Sequence, residues 1–169
     1  MKKLLFVFIF CFFAIRTSAI EIGSFMFTPE IGVSIQKFNN FNKYHYGAYG
    51  RVWAGISDIV IAPNIRYVYM GKFDGKSVKN TQYGVLLGYN LDIFLIKFLP
   101  YIGVNYSQFS KFFDNTIAYN VGLRAKIALI PANIFLEYEH QELKSKIAIT
   151  HPNLKDKLNS VRLGIGISF

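Results

Sequence analysis

The chain is 169 residues long, with 19 Lys and Arg against 10 Asp and Glu (formal charge +9), 52% hydrophobic and 17% aromatic residues, and one cysteine. That length allows one domain of ordinary size, and the apolar fraction excludes a disordered tail, which needs low hydrophobicity and high charge density. A single cysteine excludes a disulfide scaffold and any cysteine-based zinc site, and basic residues diluted among aromatics are a poor match for a nucleic-acid surface.

The first predicted element is a leader. Lys2 and Lys3 precede an unbroken apolar run from Leu4 to Ile15, and Thr17-Ser18-Ala19 follows it. A run of about a dozen residues is the length of a signal-peptide core and too short for a membrane span. Cleavage is expected after Ala19, giving a signal peptide over 1–19 and a mature domain over 20–169. Cys11 lies inside the leader, and Ile9 and Phe10 before it do not fit a lipoprotein site.

From there on the chain has one period. Strands are predicted over Phe27–Phe38, Tyr44–Ile56, Ile59–Tyr69, Gln82–Leu91, Phe98–Tyr106, Ile117–Ile127, Ile134–His140 and Val161–Phe169. In the clearest of them apolar residues alternate strictly with others. Ile59, Ile61, Ile65, Tyr67 and Tyr69 share one face while Asn64 and Arg66 share the opposite one. Eight strands of roughly ten residues match the length that crosses a bilayer when tilted. The stretch Asp92–Lys97 is apolar, and the pattern does not say where its turn ends and the fifth strand begins. Trp53 falls on the less apolar face, where a bulge near Gly50 or Gly55 would be needed to turn it outward.

Composition decides which face is inside. One face is nearly all Ile, Val, Leu, Tyr and Phe; the other carries glycines and the charges Glu30, Arg51, Arg66, Arg124, Glu137, Glu139 and Arg162. Turned toward water, the first face would make an apolar belt larger than a soluble monomer tolerates. Turned toward lipid it is ordinary, and a sheet in lipid must close because open edges leave backbone groups unpaired. If the first strand runs outward, Tyr46, Tyr67, Tyr69, Tyr83, Tyr106, Tyr119 and Tyr138 all fall at the external interface, and Phe27, Phe98 and Phe169 fall at the periplasmic one. Connections are then long outside (39–43, 71–80, 107–115 and 141–157) and tight inside at Ser57-Asp58 and Ile130–Asn133.

In this pattern the chain resembles the small eight-stranded outer-membrane barrels of Gram-negative bacteria, of the outer-membrane protein X/Ail type or the transmembrane domain of outer-membrane protein A. The most specific residues are the last ten, Ser160 to Phe169, an alternating strand ending on phenylalanine. The resemblance implies an all-β, closed, antiparallel up-and-down transmembrane barrel in the cell outer membrane. It also implies that Phe169 is an assembly signal read by the barrel-insertion machinery and periplasmic chaperones, and that the barrel is a monomer.

A barrel this narrow is filled by side chains, so its inward charges need partners. An interior ionic network of Glu30, Arg51, Arg66, Arg124, Lys126, Glu137, Glu139 and Arg162 is expected. Arg124 is placed level with Glu137, Arg51 with Arg66, and Glu30 beside Arg162 where the barrel closes. The network reads as a plug; the alternative is a narrow pore. No enzyme is expected. His140 is the one histidine placed on a strand, facing lipid, and the following Gln141-Glu142 lacks the serine that lipid A deacylases of this shape use; His45 and His151 are placed in loops. No metal, cofactor or nucleic-acid site is expected. The positive charge gathers instead at the external end, on Lys37, Lys43, Lys72, Lys76, Lys79, Lys111, Lys144, Lys146, Lys155 and Lys157, against Asp74, Asp114, Glu142 and Asp156. Such a surface suits lipopolysaccharide phosphates, host-surface molecules or serum components, through point-charge attraction rather than bidentate recognition.

Overall fold

The computed structural model describes residues 20–22, 25–39, 43–73, 76–110, 113–127, 130–142 and 157–169. The leader, Lys111, Lys144, Lys146, Lys155, His151 and most of the last external connection lie outside these. Eight long strands follow one another: β1 (Phe25–Phe38), β2 (Tyr44–Ile56), β3 (Ile59–Phe73), β4 (Lys76–Tyr89), β5 (Ile96–Phe109), β6 (Thr116–Ile127), β7 (Ala132–Glu142) and β8 (Lys157–Ser168). Each pairs antiparallel with the next, and β1 also pairs with β8, so the sheet closes into an up-and-down barrel. The three-residue strand Ile20–Ile22 folds back on the start of β1.

The ladder fixes the stagger. Stepping from Met26 through Gly55, Val60, Gly88, Tyr101, Gly122, Glu137 and Arg162 returns to β1 at Gln36, ten residues further along. That offset tilts the strands and sets the bore of an eight-stranded barrel, which side chains can fill. We call the tyrosine end external and the tight-turn end periplasmic, following the orientation read from the sequence.

The start of the fifth strand is now defined. Leu91–Ile93 continues β4 past Asn90 in unchanged register against Ile96–Phe98, leaving Phe94-Leu95 as the turn. Ser57 (φ 55°) and Phe94 (φ 57°) are the first central residues of their two-residue turns, and their followers do not share the positive φ. That is the pattern of a type II′ turn, which matches the twist of the flanking strands. The second external connection is shorter than expected, because the β3–β4 hairpin stays paired out to Phe73 and Lys76. A bulge between Tyr69 and Gly71, with Gly71 at φ 94°, absorbs one residue there.

The two faces separate as the alternation requires. Ile31, Ile65, Val85, Ile102, Val121 and Ile165 are exposed around the outside, and Tyr46, Tyr67, Tyr69, Tyr83, Tyr106, Tyr119 and Tyr138 are exposed toward one end. Trp53 is fully buried, 0% exposed, and points inward. The β2–β3 ladder loses its rungs beside it without changing register: Arg51 pairs with Asn64 and Ala54 with Ile61. Pro63 lies in the gap, and proline has no N–H to give to a ladder. No bulge turns the indole outward.

Candidate functional site: the barrel interior and the external rim

Inward side chains form four layers along the bore. At the periplasmic side, Trp53, Val60, Ala62, Leu86, Leu99 and Tyr101 make an apolar cluster with Met26 packed against it. Beside and above it sits a first ion cluster centred on Glu30. Arg51 Nε donates to Glu30 Oε1 at 2.7 Å, Arg124 Nε to Oε2 at 2.7 Å, and the Tyr49 hydroxyl and Trp53 Nε1 donate at 3.0 and 3.3 Å. The Arg51 guanidinium also lies within 6 Å of four ring centroids: Phe135 at 4.7, Tyr49 at 4.9, Trp53 at 5.1 and Tyr101 at 5.7 Å. Rings at this distance stabilise a desolvated cation through their quadrupoles.

The second ion cluster lies nearer the external end. Arg66 grips Glu137 with two parallel hydrogen bonds, 2.6 and 2.7 Å, and reaches Glu139 at 3.3 Å. Arg162 donates to Glu137 at 3.1 Å, to Glu139 at 3.3 Å and to Gln36 at 2.9 Å. Tyr101, Asn120 and Gln82 donate the remaining bonds to the two carboxylates. Two arginines face two glutamates, so the cluster is neutral overall, and each buried charge has a partner as desolvation demands. Above this lies the fourth layer, an apolar cap of Phe38, Val68, Met70, Val78, Phe109, Phe113 and Leu158.

This geometry revises the expected pairing. Glu30 and Arg162 are not neighbours: Glu30 faces Ser168 across the β1–β8 seam and Arg162 faces Gln36. Arg124 is opposite Phe135 while Glu137 is opposite Gly122, and Arg51 is opposite Asn64 while Arg66 is opposite Tyr49. Within each hairpin the ladder mirrors about its turn, so the expected pairs miss by two residues, and the charges find their partners along and across the bore instead. One expected network is therefore two clusters. Lys126 is half-buried at the periplasmic end, opposite Asn133 and Lys97. The sequence reading missed Tyr49, Tyr101, Gln36, Gln82, Asn120 and Ser168, although all share the inward parity of the charges they serve.

Glycine makes room for the first cluster at one point. A Cβ on Gly166 would collide with the Tyr49 hydroxyl, and one on Gly32 would stand 2.5 Å from the same oxygen. Those two bare backbones let Tyr49 lie over β1 and β8 with its hydroxyl against Glu30 on the adjoining strand.

His45 is a further correction. It belongs to β2, not to a loop, and its ring points inward, 6% exposed, edge-on to Phe38 at 5.1 Å. His140 is half-buried on β7, with Nδ1 hydrogen-bonded to Asn159 Oδ1 at 2.6 Å and Tyr119 across the ladder. Among the described residues no group of acidic, histidine or cysteine side chains is arranged to hold a metal ion.

At the external rim Lys37, Lys43, Lys72, Lys76, Lys79 and Lys157 are exposed. Two of them lean on aromatic rings: Lys37 over Tyr44 at 5.5 Å and Lys79 over Tyr67 at 5.9 Å. The neighbouring acids among the described residues are Asp114 and Glu142.

No family model matches the chain, and no curated protein shows a significant match. Solved structures do. The outer membrane enzyme PagL superposes with a TM-score of 0.62 at 14% identity, covering 82% of this chain and 98% of that one. Neisserial surface protein A gives 0.60 at 14% identity, covering 87% and 98%. A major outer membrane protein from Thermus thermophilus gives 0.51 at 12% identity, covering 85% and 99%. At these identities the likeness is one of fold. The chain has the closed eight-stranded architecture of small bacterial outer-membrane barrels, a fold that also carries an enzyme.

Proposed function

We propose that the chain is an integral outer-membrane barrel with a sealed lumen, acting through its basic external end on anionic partners: the phosphates of lipopolysaccharide first, and anionic host-surface or serum molecules where the cell meets them. The observation that carries this reading is the rim itself. Six exposed lysines surround one mouth, and two of them are held against tyrosines at the height where a bilayer's headgroups lie. Lysine suits such a surface, since a point charge on a flexible stem tolerates varied phosphate positions. Replacing Lys37, Lys72, Lys76 and Lys79 together by glutamine is expected to weaken lipopolysaccharide binding about tenfold or more at low salt, and to flatten its salt dependence. Binding measured by calorimetry on the folded barrel checks this, and unchanged affinity rejects the basic rim as the contact surface.

The same reading takes the leader as an export signal cleaved after Ala19 and Phe169 as the assembly signal for the insertion machinery. It takes the two ion clusters as a plug. The outer cluster is neutral, the inner one sets a single carboxylate between two arginines, and both lie between apolar layers that narrow the path for an ion. In planar bilayers the protein is expected to give no stable openings; steady single-channel steps would favour the narrow pore instead.

A further inference from the structure

One titratable side chain on the outward parity of the barrel is fixed by partners on the strands beside it. His140 alternates with the buried Glu139 and Gln141 and so faces outward from β7, at the external end. Its rung runs from Tyr119 on β6 to Asn159 on β8. The 2.6 Å bond from Nδ1 ends on the Asn159 amide oxygen, which only accepts, so Nδ1 carries the proton and Nε2 is the nitrogen left for another partner. Asn159 is pinned in turn across the β1–β8 seam. Asn39 N donates to its carbonyl at 2.9 Å, and its own N–H donates to Asn39 Oδ1 at 3.0 Å.

The charged and titratable groups around this ring come from four strands. Tyr119 faces it from β6, Tyr138 and Glu142 lie two residues to either side on β7, and Lys157 on β8 is opposite Glu142. Lys37 on β1 lies one outward step below, level with Val161 and Tyr138. Its neighbours across the two ladders, Val161 and Tyr44, carry no charge at neutral pH, and its ammonium lies over the Tyr44 ring. Lys37 and His140 are two strands and two residues apart, about 12 Å between Cα atoms at ordinary strand spacing and rise, a gap that their side chains close around one phosphate. A neutral ring offers Nε2 only as an acceptor. A protonated ring offers a charged N–H there, which suits a phosphate oxygen. We propose that Lys37 and His140 hold one phosphate of an external-leaflet lipid against the outer wall, with Asn159 orienting the ring, and that the hold tightens when His140 takes up a proton. This rests on the reading above that the external end meets lipid phosphates.

The test uses the full chain folded in uncharged maltoside micelles, with heat-modifiable gel mobility confirming the fold of each variant. The probe is dihexanoyl phosphatidic acid, a soluble lipid phosphate, titrated by calorimetry. His140→Asn can keep the contact to Asn159 but lacks Nε2. It is expected to weaken binding on the order of tenfold at about pH 5.5 and little at about pH 8, since histidine changes charge between them. The probe's own titration is common to both proteins and cancels in their ratio. An equal loss at both pH values overturns the protonation step, and no loss at either overturns the site. Lys37→Gln is expected to lose affinity at both, and full affinity overturns its part. Inorganic phosphate is expected to bind far more weakly, and equal affinity overturns the lipid as ligand. Glutamine at Lys72, Lys76 and Lys79 reports on the basic rim apart from this site: a loss there with none for His140→Asn rejects the site alone.

Discussion

Glu137→Ala is expected to lower the unfolding free energy by about 3–5 kcal/mol, because it leaves two buried arginines sharing one carboxylate. Glu137 accepts both parallel bonds of Arg66, one from Arg162, and one each from Tyr101 and Asn120. Glu139, two residues on along the same strand, meets both arginines only at 3.3 Å and takes its shortest bond, 2.9 Å, from the neutral Gln82. The same truncation at Glu139 is therefore expected to cost less, although both side chains are equally buried. Urea unfolding in lipid vesicles, followed by the fluorescence of Trp53, measures both; the chain has no other tryptophan. Equal losses at the two positions would mean that burial, not the bidentate pairing, sets the cost.

Glu30→Ala is expected to be similarly damaging, by about 3–5 kcal/mol, for a reason that a second substitution exposes. Glu30 is the acceptor shared by Arg51 and Arg124, and it also fixes the Tyr49 hydroxyl and the Trp53 indole. Without it, two guanidinium groups remain close together with no carboxylate bonded to them. Arg51 retains its ring of aromatics, whereas Arg124 retains only a 2.7 Å bond to Ser168 and one more distant ring. Arg124→Met in the Glu30→Ala background should then recover on the order of 1–2 kcal/mol, since it removes the less sheltered uncompensated cation. No recovery would show that Glu30 contributes mainly by filling space.

These two clusters mark where sequence reading reaches and where it stops. Alternation placed Glu30, Arg51, Arg66, Arg124, Glu137, Glu139 and Arg162 on the inward face, and inward they lie. It did so because a strand has only two faces and lipid tolerates few charges on one of them. The same parity placed Trp53 inward, and the only reason to doubt it was the usual preference of tryptophan for interfaces. A buried carboxylate within reach of its N–H, with a tyrosine ring to pack against, outweighs that preference here. Pairing was beyond the pattern. Which glutamate meets which arginine depends on how far each strand slides past its neighbour, and that stagger is a property of the closed ring as a whole.

The external end divides in the same way. The tyrosines and lysines of the rim were legible as residue types at strand ends. Strand lengths there were not, because residues 71–73 and 76–80 carry few β-formers and stay in strand only through their partners across the hairpin. Gln141 and His45 were assigned to loops for a related reason: a polar residue near a strand end reads as solvated until the cap above it is known. By itself, then, the sequence determined a membrane-facing barrel, its strand count, its two girdles and its inward charges, all consequences of a period of two against lipid. The ten-residue stagger, the division into two ion clusters, and the course of Tyr49 over Gly32 and Gly166 were decided by closure, which brings together residues more than a hundred positions apart.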